Sequence, residues 1–448
     1  MSSTPRLTRD WWFQNGHSRS VKTGIVPPVP REGQKIRILQ FGEGRLLRTL
    51  IDTAFEEMRR VHGWQGLIAM VNCRPHGAQN IQGLKAQDGL YTALIHDDEQ
   101  VTPEVVGGVL PYDRDQEWED ILTLAESVEW MVTNATESGI VPSPEAMMPS
   151  AVTPQTVVGM VTMALWRRWK ANPLTPLTVL PTELLPQNGK RLQSAVREQA
   201  QRWRLPEEFM AWVTQRGIFV NTLVDRVVTG PPEPVDQWWQ KLGYQDRYLT
   251  VGEHYGRWWI EATGGWPDMP LEHVSTVQFV DRLDGYHQLK VLGLNGVHLL
   301  IACKGLLHGY GTVQEAFADP AIQHDAEAYW VAVKPVISLP QTSVEDFLNS
   351  LRHRFGQQWL HHRLEDIAVR LVDKWWIRIA PSMDWWWTQK RSIPQALVGV
   401  TDQILQYLIQ THPTQWTVQW IEETFQFESH HAGSWRTELV RRLHAPHS

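Results

Sequence analysis

Apolar and polar positions divide the chain into two regimes. Up to about residue 280, short all-apolar runs alternate with stretches of helical period. "KIRILQF" reads as a strand, the glycines after it as a turn, and "RLLRTLIDTAFEEMRR" as an amphipathic helix; the apolar run "GLIAMVNC" follows. Strand, turn, helix and strand in that order open a parallel α/β sheet. "VEWMVTNAT" and "LTVLPTELL" are further candidate strands, with helical patterns around 154–170 and 188–203. The first 30 residues end in the Pro-rich "GIVPPVPREG" and show no helical period. From about 285 onward strand signals nearly vanish. "TVQEAFADP", "SVEDFLNSLRHRF" and "QALVGVTDQILQYLIQ" read as helices broken by Gly and Pro. The pattern predicts an α/β domain over 1–280 and an all-α domain over 281–448, with no internal repeat.

One helix breaks its own pattern. In "YHQLKVLGLNGVHLLIACKGLLHG" (286–309), Lys290, Asn295 and His298 interrupt a run of Leu, Val, Ile, Ala and Gly. Desolvating an ammonium, an amide and an imidazole costs several kcal/mol each unless they are paired or used. At about 100° per residue, Asn295 lies about 140° and His298 about 80° around from Lys290, so the trio shares one broad side. A structural reading is a paired Lys, a capping Asn and a satisfied His. A functional reading is a Lys whose pKa falls on burial until it exchanges protons near neutrality. Beside it, an amide and an imidazole would donate to a carbonyl oxygen becoming an alkoxide. With a nicotinamide close by, that set suits hydride transfer to a ketone.

The turn after the first strand, "LQFGEGRLLR", carries Gly42 and Gly44 as the first two glycines of G-x-G-x-x-G, with Leu47 in third place. Gly42 would allow the tight turn, and Gly44 the approach of a pyrophosphate to the helix start. The match is weak alone and gains from its place after the first strand. The acid that commonly ends the second strand and binds the ribose of NAD is missing: the chain reads Asn72-Cys73-Arg74-Pro75. Arg74 suits adenine stacking or a 2′-phosphate, which leaves the cofactor open on physics alone.

Composition changes the picture little. With 42% hydrophobic and 20% charged residues the chain is of globular type. A net charge of −7 argues against a general nucleic-acid binder. No apolar run was expected to reach the roughly 18 residues of a membrane span, and the N-terminus lacks the apolar core of a signal peptide. Cytoplasm is the default expectation. Two cysteines, Cys73 and Cys303, supply neither a disulfide framework nor a Cys-rich zinc site. No His/Cys/Glu set has ligand spacing, and the adjacent "HH" pairs at 361–362 and 430–431 suit one ion poorly, so no metal is expected. The 24 tryptophans could stack on sugars, but their spread along the chain favours a core role.

Lys290-x4-Asn295-x2-His298 resembles the catalytic signature of the polyol-specific long-chain dehydrogenases, the mannitol dehydrogenase family. "QFGEGRLLR", "QDGLYT" (87–92), "TNATESGI" (133–140), "NTLVDRVVTGPP" (221–232) and "LNGVH" (294–298) recur in matching order over roughly 35–380. The resemblance implies a Rossmann-type domain followed by a helical domain, with the active site in the cleft between them. It implies a Lys acid/base without metal: Lys290 as proton donor, Asn295 and His298 on the substrate oxygens, and Asp225 setting the charge of Lys290. Asn221 would line the same wall, while a local Asp225–Arg226 ion pair is the plainer alternative. Phe41, Gly42, Gly44, Arg74, Asn134, Thr136 and Glu137 would bind the cofactor.

Where the mannitol branch carries a Cys-Asp-Asn run before "NG", this chain has "PTELLPQNG", with Glu183 and Leu184. That form resembles a hexuronate-reducing branch whose members reduce tagaturonate to altronate with NAD, which tips the expected cofactor to NAD. The substrate carboxylate would then meet His362, Lys374 and Arg378. Alternatives are another polyol or fructuronate dehydrogenase of the family, a non-catalytic sugar-binding relative and, remotely, a non-redox Rossmann enzyme. The expected partner is a small sugar acid or polyol, in a monomer or small homo-oligomer.

Overall fold

In the computed structural model the chain forms two units, Met1–Leu283 and Asp284–Ser448. The structure describes residues 4–411 apart from 75–76, 98–99, 136–138, 150–151, 262–269, 358 and 360–361, together with Leu439.

Unit 1 is organised by six parallel strands: β1 (Lys35–Phe41), β2 (Gly66–Val71), β3 (Val109–Tyr112), β4 (Trp130–Thr133), β5 (Leu177–Pro181) and β6 (Gly217–Phe219). Their order across the sheet is β3-β2-β1-β4-β5-β6. This is the doubly wound Rossmann order, in which the direction of winding reverses between β1 and β4. Every residue of β2, β4 and β5 is buried, as expected of strands covered on both faces. One face packs under the helices Val157–Ala171 and Asn188–Arg202, the other under Asp52–His62. That last helix stops at Gly63, whose φ of +66° suits glycine, with its N–H on the Met58 carbonyl.

Two smaller sheets complete the unit. One joins Val228–Thr229, Thr250–Glu253, Tyr91–Asp97 and Gln100–Val106; the other joins Val277–Val280, Arg257–Glu261 and Thr222–Asp225. The N-terminal segment differs from expectation, because Arg9–Thr23 is a helix. Trp11 and Trp12 lie 5.2 and 6.2 Å from the Tyr244 ring, so distant packing holds a segment of weak local period.

Unit 2 is helical throughout its described residues, with one isolated bridge, Thr312 to Arg363. Its axis is Asp284–Leu307, α-helical over Asp284–Gln288, π-helical over Leu289–Gly296 and α-helical again over Val297–Leu307. This helix corrects one expectation: by length and composition it could cross a membrane, and 78% of its apolar window is buried. The interrupting residues hid its length as an apolar run. Around it stand Pro320–Val333, Gln341–Phe355 and Gln395–Thr411. Trp130, Trp258, Trp330 and Trp375 are fully buried, one pair in each unit, in keeping with a core role for tryptophan.

Candidate active site

In unit 1 the reversal point of the sheet coincides with the glycine turn. Phe41 ends β1 fully buried, and its carbonyl accepts the Asn134 N–H at 3.0 Å from the end of β4. The Gly42 N–H donates to Val71 at 2.8 Å, tying the turn to β2. Gly42 has φ +140°, a region closed to other residues, and a Cβ there would lie 2.6 Å from Leu47 Cδ1. Leu47 therefore fills the space that Gly42 leaves, which accounts for a leucine in third place. Gly44 is exposed and different: a Cβ there would find nothing nearer than Asn134 Oδ1, at 4.0 Å. Beyond it the helix starts with first-turn N–H groups that have no intrahelical acceptor. The residues present fit a dinucleotide phosphate at this place.

After two α-helical residues the helix takes a π turn, Leu47–Ile51. Arg226 donates to the Thr49 carbonyl in that turn, and also to Tyr255 and His254 at 3.3 and 3.2 Å. These bonds commit its guanidinium to backbone carbonyls. Asp225 is buried at the end of Thr222–Asp225, opposite Arg257 in the antiparallel register. Asn221 is buried too; its amide donates to Glu261 at 2.8 Å and accepts from the Lys190 N–H at 3.2 Å.

The loop after β4 is held from β5. Asn134 donates to Thr182 Oγ1 at 2.8 Å, and Glu183 accepts the Ala135 N–H at 2.7 Å and the Thr133 hydroxyl at 3.2 Å. Burial pushes the Glu183 carboxyl up. In the sequence Glu183 distinguished a branch; here it positions Asn134. Leu184 beside it is 41% exposed. Arg74 is exposed after β2, whereas Thr136 and Glu137 lie outside the described residues.

In unit 2 Lys290 and Asn295 sit on the π turn, and His298 lies just beyond it at the start of the α-helical segment Val297–Leu307. A π turn closes hydrogen bonds between residues five apart, so positions i and i+5 stand nearly above one another. Lys290 and Asn295 are five apart, and the α-helical offset of about 140° no longer applies between them. Lys290 and His298 are buried, at 8% and 6% exposure, and Asn295 is half-buried. Carbonyls of the turn find donors outside the helix: Tyr329 Oη donates to Leu292 at 2.9 Å, Trp330 Nε1 to Gly293 at 2.9 Å and Arg378 to Asn295 at 3.3 Å. Gly296 admits the Tyr329 hydroxyl where a Cβ would strike it.

His298 has a cationic surrounding. Its ring lies 4.9 Å from Phe355 and 5.3 Å from His362. Burial first, then the charges of His362, Arg378, Arg354 and Lys374, hold its pKa well below the usual histidine range. Lys374 donates to the Ile367 carbonyl at 2.8 Å. Burial also lowers His362, whose Nδ1 is buried without a hydrogen-bond partner among the described residues. The structure thus gathers His362, Lys374 and Arg378 about His298. It adds Arg354, 2% exposed, which sequence reasoning missed. The basic run "RHR" at the end of Gln341–Phe355 was its only signal, and such runs ordinarily face water. Among the described residues no group of three or more His, Cys, Asp or Glu is placed to hold a metal ion.

A Rossmann sheet with an open glycine turn, followed by a helical unit with a buried Lys–Asn–His helix, defines a dinucleotide-linked oxidoreductase of two domains. Family models for the mannitol dehydrogenase Rossmann domain and C-terminal domain match residues 36–269 and 282–420. The chain belongs to the mannitol dehydrogenase family. It is 31% identical over 378 residues to the altronate oxidoreductase of Bacillus subtilis (strain 168), covering 81% of this chain and 77% of that one. With the altronate oxidoreductase of Halalkalibacterium halodurans it is 30% identical over 387 residues, covering 83% and 75%. Two solved structures share the fold. A substrate-free D-sorbitol dehydrogenase has TM-score 0.79 and 21% identity, covering 94% of each chain. Pseudomonas fluorescens mannitol 2-dehydrogenase, in a ternary complex with NAD and D-mannitol, has TM-score 0.72 and 22% identity, covering 86% of this chain and 81% of that one.

Proposed function

We propose that this protein reduces the keto group of a hexuronate, tagaturonate to altronate, reversibly and with NAD(H). The observation that carries the substrate class is the set of cations about His298. Burial first, and then the charges of Arg378, Arg354 and Lys374 with His362 beside them, hold that one buried imidazole below the usual histidine range. Such a site favours an anion, and a sugar acid carries a carboxylate that a neutral polyol lacks. The altronate oxidoreductases, about 30% identical over most of the chain, support the same reading.

The turn Gly42–Gly44 and the helix after it hold the dinucleotide phosphates, with Asn134 on the facing strand end. The nicotinamide, when bound, supplies the hydride for reduction and accepts it in the reverse direction. Lys290 gives its proton to the substrate oxygen as the carbonyl is reduced, and takes it back in oxidation. Asn295 and neutral His298 donate hydrogen bonds to the substrate oxygens, each lowering the barrier by about 2–4 kcal/mol. Because Lys290 moves the proton, the scheme calls for no metal.

The test is a panel of tagaturonate, fructuronate, fructose, altronate and mannitol with NAD(H) and NADP(H), followed by nicotinamide absorbance. Fastest turnover is expected for tagaturonate with NADH. Faster turnover of fructose or mannitol would overturn the substrate reading.

A further inference from the structure

We infer that Glu43, inside the glycine turn, is the carboxylate that receives the adenosine ribose hydroxyls and sets the preference for NADH over NADPH. The inference rests on the dinucleotide reading above and names a residue for which neither motif nor spacing gave a signal.

Such an acid ordinarily stands at the end of the second strand. Here that place is Asn72, fully buried, with both ends of its amide engaged. Its nitrogen donates to the Arg74 carbonyl at 2.9 Å, and its oxygen accepts the Arg114 N–H at 2.9 Å. Asn72 shapes the loop after β2 and, fully buried, presents no group to a ribose.

Glu43 brings a carboxylate to the same strand end. A Cβ built on Gly77, the residue before the helix Ala78–Lys85, would lie 2.5 Å from Glu43 Oε1 and 2.8 Å from Asn72 Cβ. The carboxylate therefore lies beside Asn72, over the backbone of Gly77, in space that a larger residue there would take. Arg48 Nε holds the Glu43 carbonyl at 3.2 Å, which fixes the turn from which the side chain departs. The backbone N–H groups of Glu43 itself and of Cys73 favour its charged form, yet burial outweighs them and pushes its pKa up. A half-desolvated carboxylate in that state gains most from further hydroxyl donors, and a vicinal diol offers two. A 2′-phosphate in their place would bring a second anion against it. The charge of exposed Arg74 bears on the Glu43 carboxyl and moderates that repulsion.

The plainer alternative makes Glu43 a brace for the loop at Cys73, and the experiment separates the two. NADH and NADPH affinities are measured by fluorescence titration for the full-length parent and for Glu43→Gln, alongside thermal melts. Glu43→Gln should weaken NADH by about tenfold or more, the loss of a charge-assisted hydrogen bond. NADPH should bind unchanged or more tightly. An NADH analogue lacking the adenosine 2′-hydroxyl should bind the parent more weakly than NADH does, with little further loss in Glu43→Gln. An unchanged NADH-to-NADPH ratio in a folded Glu43→Gln protein overturns the inference. So does a parent that binds the analogue as tightly as NADH, a result that needs no variant to fold. A parent that binds neither dinucleotide overturns the cofactor reading itself.

Discussion

The two glycines of the turn make a paired prediction, because the structure gives them different tasks. Gly42→Ala places a side chain at φ +140°, which costs about 1–3 kcal/mol of backbone strain. Its Cβ also meets Leu47 Cδ1 at 2.6 Å, an overpacking of a buried site worth about 1–3 kcal/mol more. The sum is about 2–6 kcal/mol; at about 2–4 °C per kcal/mol the melting temperature should fall by roughly 4–24 °C.

Gly44→Val should behave in the opposite way. The nearest atom to its Cβ is 4.0 Å away, so stability should stay within about 0.5 kcal/mol of the parent. Its branched side chain projects over the helix start and separates a pyrophosphate from the backbone N–H groups. Losing one such bond to a charged group costs about 1.5–3 kcal/mol, or about 10–100-fold in NADH affinity. Thermal melts and NADH titrations on both variants decide the matter. A Gly44→Val protein that melts as low as Gly42→Ala, or that binds NADH like the parent, would refute the reasoning.

Lys290→Ala should abolish most turnover while leaving NADH affinity intact, with partial rescue by a small amine; near-normal turnover would make the lysine structural. Arg354→Met should raise the KM for a uronate by about 10–100-fold and leave a neutral polyol nearly unaffected, and an equal effect on both would remove Arg354 from carboxylate recognition. The folded state holds His287, His298 and His362 below the ordinary histidine range, while the unfolded chain protonates them near about 6.5. The unfolded form thus binds more protons below that pH, so stability is intact above about 6.5 and falls as pH drops through it. Urea midpoints across that window should show the loss, and His298→Gln should flatten it; an identical slope in the variant would count against a neutral, buried imidazole.

Much of the α/β unit was legible because buried parallel strands are written as unbroken apolar runs. "GLIAMV" and "LTVLP" are such runs, and both are buried along their whole length. The helix Arg9–Thr23 was not legible, since Trp11 and Trp12 find their partner in Tyr244, more than 200 positions away. Arg354 escaped for a related reason: a basic residue in the last turn of a helix has a sufficient local explanation, and only packing reveals its burial. Glu43 occupies the variable place of a glycine motif, where the motif itself says nothing.

The π turn over Leu289–Gly296 also lay beyond sequence arithmetic, and it bears directly on how a helix can carry buried polar groups. In an α-helix Lys290 and Asn295 point about 140° apart, at the two edges of one broad side, too far around for both to converge on one small group. A π turn removes that offset, but it breaks the regular ladder and leaves carbonyls in need of donors. Those donors are Tyr329, Trp330 and Arg378, each from another helix of unit 2. The distortion is therefore secured by three outside residues, and Gly296 is the opening through which one of them arrives. Such an arrangement has little purpose in a helix whose task is packing alone, since a regular turn would satisfy the same carbonyls internally. Its cost is offset only if Lys290 and Asn295 must serve one face. Replacing Tyr329 with Phe should then impair turnover more than it lowers stability: one buried hydrogen bond is worth about 1 kcal/mol, whereas the proposed chemistry rests on the alignment of Lys290 with Asn295 that it secures. Steady-state kinetics beside a urea melt test this, and a Tyr329→Phe protein that loses about 1 kcal/mol of stability with turnover unchanged would show that the π turn is not there for the chemistry.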